Sequence, residues 1–347
     1  MKKPSINIAG REVGYNFDPL IIAEIGINHG GKLSNAYKLV DAAVNAGAEI
    51  IKHQTHIASD EMSSHAKLVV PAHTKESIYD IIDDCSLSEE EEFKLRDYVI
   101  NKGATFISTP FSRAAAKRLI KMEVPAYKIG SGECNNFPLV EFIAKIGKPV
   151  ILSTGMNDIK SISKSVDILR KYNVPYALLH CTNVYPTPPE AVRLGAINQL
   201  SKEFKDAVVG LSDHTTTNYP SIGAMALGAS IIERHFTDSM ERVGPDISCS
   251  MDPISLKELI YSSKIIKKAR GGIKGILDIE KPTIDFAYAS VVTIKNIKAG
   301  ENFTLDNIWV KRPGNGEILA EKFDSILGRR CLNNIPKDSQ LREIDIA

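Results

Sequence analysis

The sequence predicts an α/β protein: a closed (β/α)8 TIM barrel followed by a small, mostly-β C-terminal domain. Short apolar runs rich in β-branched residues alternate with amphipathic helical stretches along most of the chain, as in repeated βα units. No Gly-x-Gly-x-x-Gly motif follows the first apolar run, which removes the main support for an open dinucleotide-binding sheet. The chain has 347 residues, more than the roughly 250 that a barrel needs, so a second domain is expected.

The barrel is predicted from strand-like segments with helical segments between them. A hairpin turning at Ala9-Gly10 precedes them and is expected to plug the N-terminal face of the barrel. Ser88 is predicted to cap a helix whose acidic first turn, through Glu92, is solvated. The predicted strands are residues 20–25, 49–54, 105–108, 126–129, 150–153, 176–180, 208–211 and 230–233, and the predicted helices include 35–46, 89–102, 113–122, 161–172 and 255–269.

Three regions follow from this pattern. Residues 1–271 form the barrel domain with its N-terminal hairpin, and residues 272–285, beginning after Gly271, form a linker. Residues 286–347 contain short strand-like pieces broken by Gly and Pro. Their core is marginal in size, so this domain is expected to pack on another surface.

Composition excludes several classes of function. The formal net charge is +1, from 43 basic and 42 acidic side chains, which gives no reason to expect nucleic acid or an anionic membrane as partner. The 5 cysteines are scattered without a CxxC pair, which argues against a disulfide framework or a structural zinc site. There is no signal-peptide pattern and no long apolar run, so a cytoplasmic location is predicted.

Two predicted strands end on a lysine within an otherwise apolar run, Lys52 and Lys128. Reactive groups of barrels lie at these strand ends, and alternation places Lys52 on the same face as Gln54. The lysines could simply be solvated, or they could be two fixed cations that bind an anionic substrate. Lys128 could also be a Schiff-base nucleophile. Two cations with nearby hydroxyls favour a doubly anionic phosphate–carboxylate ligand, and the imine remains an alternative.

Two further strand ends carry histidines, His214 and His235, which are predicted to converge because their strands are neighbours. Two imidazoles without a cysteine nearby favour a divalent ion such as Mn²⁺ or Mg²⁺ with open positions for water and substrate. The alternative is a pair of ordinary buried histidines. The other histidines show no such spacing and are interpreted as ordinary core or surface residues: His29, His53, His56, His65, His73 and His180.

Carboxylates also occupy the barrel mouth. Each is a candidate proton carrier or acceptor from a substrate hydroxyl. The alternative is a structural salt bridge, for instance between Glu233 and Arg234. These carboxylates are Glu24, Glu133, Glu233 and Asp246.

The same residues lie in stretches that resemble the signatures of bacterial sialic acid synthases. The resemblance runs in order over nearly the whole chain. The stretches are AEIGINHGG (23–31), KHQTH (52–56), STPFS (108–112), YKIGSGECNN (127–136), LSTGMN (152–157), HCTNVYPTP (180–188), GLSDHT (210–215), ERHFT (233–237), GPDISCSMD (244–252) and VKRPGNG (310–316).

The resemblance implies a barrel followed by an antifreeze-like (SAF) domain, in a homodimer whose C-terminal domain covers the partner's site. It implies condensation of phosphoenolpyruvate with N-acetylmannosamine, with C–O cleavage, in capsule or lipopolysaccharide biosynthesis. The metal is expected to be Mn²⁺, with Mg²⁺ or Co²⁺ possible, bound by His214 and His235. Phosphoenolpyruvate would be bound by Lys52, Thr109, Lys128, Ser131, Ser153, Asn183 and Ser212; the sugar by Gln54, Tyr185, Asp246, Phe286 and Arg312; and Glu24, Glu133 and Glu233 would be catalytic.

One departure from the family concerns Pro71-Ala72-His73, where relatives often have Gly-Asn after the proline. An asparagine contact with the sugar is therefore missing, and His73 is a candidate to replace it. A legionaminic or pseudaminic acid synthase acting on a 6-deoxy diacetamido sugar is the second expectation. An aldolase that uses Lys128 is the third.

Overall fold

The computed structural model describes residues 3–70 and 76–347. His73 therefore lies outside the described residues. The chain forms two compact units, Met1–Arg270 and Gly271–Ala347. The first contains the barrel and the second a small β domain.

The first unit contains a closed barrel of parallel strands, which confirms the predicted fold class. Strand β10 pairs with β9 on one side and with β3 on the other, and this last pairing closes the barrel. The hairpin pairs β1 with β2 in antiparallel fashion, and Ala9 and Gly10 both have positive φ at its turn. The strands are β1 Ser5–Ile8, β2 Arg11–Gly14, β3 Leu20–Gly26, β4 Ile50–Thr55, β5 Thr105–Pro110, β6 Tyr127–Ile129, β7 Val150–Ser153, β8 Tyr176–Cys181, β9 Val208–Asp213 and β10 Ile231–His235.

Helices lie between successive strands, and several start at a side-chain cap. Ser88 accepts a hydrogen bond from the Glu91 backbone at the start of α4, and the two form a capping box, as predicted. The expectation of a wholly solvated first turn was wrong, because Glu92 is fully buried. The helices are α1 Leu33–Asn45, α2 Ala58–Glu61, α3 Ile78–Cys85, α4 Glu89–Asn101, α5 Arg113–Lys121, α6 Phe137–Ala144, α7 Ile159–Lys171, α8 Pro189–Val192, α9 Gly195–Glu203, α10 Tyr219–Ala226, α11 Pro253–Ala269, α12 Lys281–Ala287 and α13 Phe323–Ile326.

The lower half of the barrel interior is filled by apolar side chains. Ile6, Ile8 and Val13 of the hairpin belong to the same buried cluster as inward-facing strand residues such as Ile22 and Ile107. The hairpin thus plugs the N-terminal face, as the sequence predicted. A second, larger cluster packs the outer face of the strands against the helices. Because the lower half is filled, the polar residues of the strands are confined to the C-terminal end.

The second unit is built on two antiparallel strands, β11 Ser290–Thr293 and β12 Ile308–Lys311. Its small core includes Phe303 and Leu341. The segment predicted as a linker, residues 272–285, contains the first part of helix α12, which continues to Ala287. None of the helices in the described ranges combines the length and apolar character that crossing a membrane requires.

Candidate active site

The C-terminal end of the barrel encloses a polar cavity of about 160 Å³, here called the inner cavity. Alternation along the strands turns one side chain of each pair inward, so residues far apart in sequence converge there. The inner cavity gathers every residue that was predicted to be catalytic, to bind phosphoenolpyruvate or to bind metal, together with two predicted sugar contacts. Its lining includes Glu24, Lys52, Gln54, Thr109, Lys128, Ser131, Glu133, Ser153, Asn183, Tyr185, Ser212, His214, Glu233 and His235.

Two lysines and two glutamates form the floor of this cavity. Lys52 Nζ donates to Glu24 Oε1 at 2.5 Å and to Thr109 Oγ1 at 3.1 Å. The carboxylate of Glu233 lies 3.6 Å from Lys52 Nζ and 3.5 Å from Lys128 Nζ. All four charged side chains are almost fully buried. The alternative interpretation, that Lys52 and Lys128 are solvated, is therefore wrong.

Burial and pairing act in opposite directions on these charges. Burial opposes ionisation of Glu24, but the nearby cations, Lys52 first, hold the pKa of its carboxyl below the ordinary value. Burial likewise opposes the charge on Lys52, and Glu233 and Glu24 outweigh it and raise its pKa. Glu24 is thus an ionised acceptor and Lys52 a cation at neutral pH.

The two histidines predicted to converge do so. The rings of His214 and His235 have centroids 5.4 Å apart. His214 Nδ1 donates to the Thr182 carbonyl oxygen at 3.0 Å, which leaves the lone pair of Nε2 to coordinate a metal. His235 Nδ1 is buried without a hydrogen-bond partner and lies 3.6 Å from Asp246.

This donor set fits a divalent ion held by two imidazoles and completed by water and substrate. In the described residues, no group of three or more His, Cys, Asp or Glu side chains is placed to hold a metal by itself. The expectation that no cysteine lies nearby was wrong: Cys181 Sγ is 3.8 Å from His214 Nδ1 because β8 and β9 are neighbours.

Several buried polar atoms in the inner cavity have no hydrogen-bond partner, among them Glu133 Oε2, Ser153 Oγ and Asn183 Oδ1. Buried polar groups are normally satisfied, so this cluster is typical of a ligand site. Burial, reinforced by Glu61, raises the pKa of Glu133 to about 7. Such a carboxyl can both donate and accept a proton near neutral pH.

A second cavity of about 770 Å³, here called the outer cavity, opens above the first. Gln54, Tyr185 and His235 line both, so the two are continuous. The predicted sugar contact Asp246 lies here. One wall is apolar and comes largely from α3 and the loop before Asp246: Ile78, Ile81, Ile82, Val243 and Pro245.

The last two predicted sugar contacts, Phe286 and Arg312, lie in the second unit. The Arg312 guanidinium is 5.8 Å from the centroid of the Phe286 ring. Phe286 is 66% exposed. The pair therefore presents an aromatic and a cationic group on the surface of that unit.

Sequence reasoning missed some of the lining and misjudged one pair. His56, Glu61 and Phe111 line the outer cavity, although His56 was interpreted as ordinary. Glu233 does not pair with Arg234, because alternation turns Arg234 outward, where it donates to Asn218 Oδ1 and the Thr215 carbonyl. The signal that could have identified His56 is its place in the stretch KHQTH, two residues after Gln54.

Fold and site together define a barrel enzyme whose mouth combines two buried lysines, two converging histidines and an adjoining open cavity. A family model described as the NeuB family matches residues 39–275, and an SAF domain model matches residues 288–347. The chain belongs to the NeuB family, and it is an enzyme that condenses phosphoenolpyruvate with a sugar.

Named relatives extend over almost the whole chain. The N,N'-diacetyllegionaminic acid synthase of Campylobacter jejuni is 37% identical, over 93% of this chain and 99% of its own length. The N-acetylneuraminate-9-phosphate synthase of Mus musculus is 32% identical, over 96% and 94%. The crystal structure of an N-acetylneuraminic acid synthetase from Leptospira borgpetersenii, in complex with citrate, has a TM-score of 0.75 at 29% identity and covers 81% of this chain and 95% of its own.

Proposed function

We propose that this enzyme joins phosphoenolpyruvate to N-acetylmannosamine and water, giving N-acetylneuraminate and phosphate. The observation that carries the proposal is the pairing of two cavities of opposite character. The inner cavity is small, polar and floored by Lys52 and Lys128. The outer cavity is larger, open and partly apolar. The first suits a compact anion and the second a sugar.

Phosphoenolpyruvate is assigned to the inner cavity. Lys128 Nζ contacts Glu233 and the Ile129 carbonyl, both within 3.5 Å. The hydroxyls of Ser131, Ser153 and Ser212 line the same space. Charge-assisted hydrogen bonds from lysines and hydroxyls are the usual means of holding phosphate and carboxylate oxygens.

The charge balance of this cavity favours a divalent metal ion beside the substrate. Lys52 and Lys128 are matched in number by Glu24 and Glu233, so the floor is close to neutral overall. A further anion would therefore need additional positive charge. We propose that His214 and His235 hold Mn²⁺, which when bound supplies Lewis acidity toward the sugar aldehyde.

The chain's own residues would carry out the remaining work. The C2=C3 double bond of phosphoenolpyruvate supplies the electron pair for a new bond from C3 to the aldehyde carbon of the sugar, and the aldehyde oxygen takes up a proton to become a hydroxyl. Water adds at C2 and releases a proton. The C2–O bond to phosphate then breaks as the C2 hydroxyl gives its proton to the leaving phosphate, which leaves a ketone. Lys52 and Lys128 stabilise the departing phosphate. Glu133, with its raised pKa, is placed to move the proton that water releases. No step uses a covalent lysine.

The outer cavity bears on the choice of sugar. Among the described residues that line it there is no lysine or arginine, whereas Glu61, Asp84 and Asp246 contribute carboxylates. A sugar phosphate would be repelled there, which supports an unphosphorylated acceptor. The motifs KHQTH and VKRPGNG favour N-acetylmannosamine. The apolar wall of Ile78, Ile81 and Ile82 accommodates an acetyl methyl group.

The same apolar wall favours a second candidate acceptor, a 6-deoxy diacetamido sugar. This sugar has a methyl group where N-acetylmannosamine has a hydroxymethyl group, and it also carries a second acetyl group. A relative named N,N'-diacetyllegionaminic acid synthase agrees with this alternative.

The test is to incubate the enzyme with phosphoenolpyruvate and each candidate sugar, including the 6-phosphate of N-acetylmannosamine. Phosphate release and product mass are measured after EDTA treatment and again after Mn²⁺ is restored. We expect the highest kcat/KM with N-acetylmannosamine, loss with EDTA and recovery with Mn²⁺. Preference for the 6-phosphate would overturn the assigned acceptor, and no phosphate release with any sugar would overturn the proposal.

We further propose a cytoplasmic homodimer in which residues 286–347 of one subunit cover the barrel mouth of the other. The exposed pair of Phe286 and Arg312 supports this proposal, because it presents an aromatic and a cationic group at the surface of its unit. Mixing Arg312→Ala subunits with Lys128→Met subunits tests it. In a heterodimer, the intact barrel of the Arg312→Ala subunit would be covered by the intact C-terminal domain of the Lys128→Met subunit, so part of the activity should return. If each barrel is instead covered by its own chain, the intact barrel keeps an altered cover and no activity should return.

A further inference from the structure

His56 occupies a position between two acceptors at the edge of the outer cavity. Its Nδ1 is 2.8 Å from Glu61 Oε2, and its Nε2 is 3.1 Å from Gln54 Oε1. The ring stacks on Phe111, with centroids 4.2 Å apart and planes inclined by 13°. His56 is only 4% exposed. These contacts fix the position of the ring on both edges and one face.

The direction of the Gln54 amide follows from its other contact. Gln54 Nε2 donates to Glu24 Oε1 at 2.6 Å. Glu24 Oε1 also accepts a hydrogen bond from Lys52 Nζ, so the reversed amide would place two acceptor oxygens against each other. The amide nitrogen therefore points to Glu24 and the amide oxygen to His56.

The donor of the contact with His56 follows in turn. A glutamine oxygen accepts hydrogen bonds, so His56 Nε2 carries the hydrogen and donates to Gln54 Oε1. His56 Nδ1 contacts Glu61 Oε2, which holds the ring in place at its other edge.

We propose that His56, held in place by Glu61, is a positioning residue that directs the amide of Gln54 toward Glu24 and thereby sets the affinity for the acceptor sugar. This inference rests on the proposed function, in which Gln54 contacts the sugar. Without His56 the amide oxygen loses its donor, and the amide can turn away from Glu24. The effect should therefore appear in acceptor binding and be transmitted only through Gln54.

A double-mutant cycle tests the route of this effect. His56→Ala is expected to raise the KM for the acceptor by about tenfold, the usual cost of one lost buried hydrogen bond, with the KM for phosphoenolpyruvate unchanged. In a Gln54→Ala background, His56→Ala should change the acceptor KM by less than about twofold. His65→Ala, at an exposed histidine of the same segment, is the matched control. Independent, multiplicative effects of His56→Ala and Gln54→Ala would overturn the proposal.

A second measurement does not depend on turnover. Histidine side-chain ¹⁵N NMR of the full-length enzyme should show a hydrogen on His56 Nε2, assigned by loss of the signal in His56→Ala. A His56 without a hydrogen on Nε2 in the wild-type protein would overturn the proposal even if every sugar assay succeeds. If no sugar is consumed but Nε2 carries the hydrogen, the proposed function fails while the arrangement of His56 is supported.

Discussion

Replacing Lys128 by methionine tests the anion site most sharply, because it removes one of two buried cations and keeps most of the side-chain volume. Lys128 is 3% exposed, and its Nζ lies 3.5 Å from Glu233. The protein should still fold, since Glu233 keeps Lys52 at 3.6 Å and the Ser212 hydroxyl at 3.4 Å.

The expected size of the effect follows from the electrostatics of the site. Two unit charges about 4 Å apart at an effective dielectric constant of about 20 attract by roughly 4 kcal/mol. Because Lys52 and the hydroxyls remain, part of this loss is compensated, and we expect kcat/KM for phosphoenolpyruvate to fall by about 10²- to 10³-fold.

The assay is steady-state phosphate release with the acceptor held at saturation, together with thermal unfolding to confirm that the variant is folded. Lys121→Met is the matched control, because that side chain is 62% exposed. A folded Lys128→Met enzyme whose kcat/KM stays within about threefold of wild type would refute the assignment of phosphoenolpyruvate to the inner cavity. Borohydride trapping with pyruvate separates the imine alternative, since we expect no labelling of the wild-type enzyme.

The remaining predictions concern a close contact, a buried acid and the metal. A Cβ on Gly155 would lie 1.9 Å from Asn183 Oδ1, whereas one on Gly195 would meet nothing within 4 Å. Gly155→Ala should raise the KM for phosphoenolpyruvate at least about tenfold, and Gly195→Ala should not, so equal effects would contradict the packing. Burial raises the pKa of Glu92 to about 8, above its value in the unfolded chain. The free energy of unfolding of the wild-type protein should therefore fall as pH rises from 5 to 9. In urea unfolding, Glu92→Gln should flatten this fall by roughly 2–4 kcal/mol, and an unchanged slope would argue against a raised pKa. His235→Ala should weaken Mn²⁺ binding, measured by calorimetry in the absence of substrates, by about 10²-fold; unaltered binding would place the metal elsewhere.

The barrel and its polar mouth were predictable because they depend on local periodicity. Each predicted strand overlaps an observed one, and alternation alone placed Lys52 and Gln54 on the inner face. The neighbouring order of β9 and β10 also follows from a barrel, which is why His214 and His235 could be paired from the sequence.

The features that were missed depend on contacts between distant segments. The burial of Glu92 reflects its packing beside Arg118 and Thr55, which no pattern within α4 reveals. His56 finds Gln54 and Glu61 close by in sequence, but its stack on Phe111, which follows β5, depends on the folded barrel. The outward direction of Arg234 was available from alternation, but its adjacency to Glu233 in sequence suggested a pair that the strand geometry forbids.

The central claim is that phosphoenolpyruvate reacts at the barrel mouth with an amino sugar by breaking its C–O bond. The direct measurement uses phosphoenolpyruvate labelled with ¹⁸O in the oxygen that bridges C2 and phosphorus, followed by mass spectrometry of both products. The account predicts that the label leaves with phosphate and that release requires the sugar. Label retained in the sugar product, or phosphate released without any sugar, would contradict it.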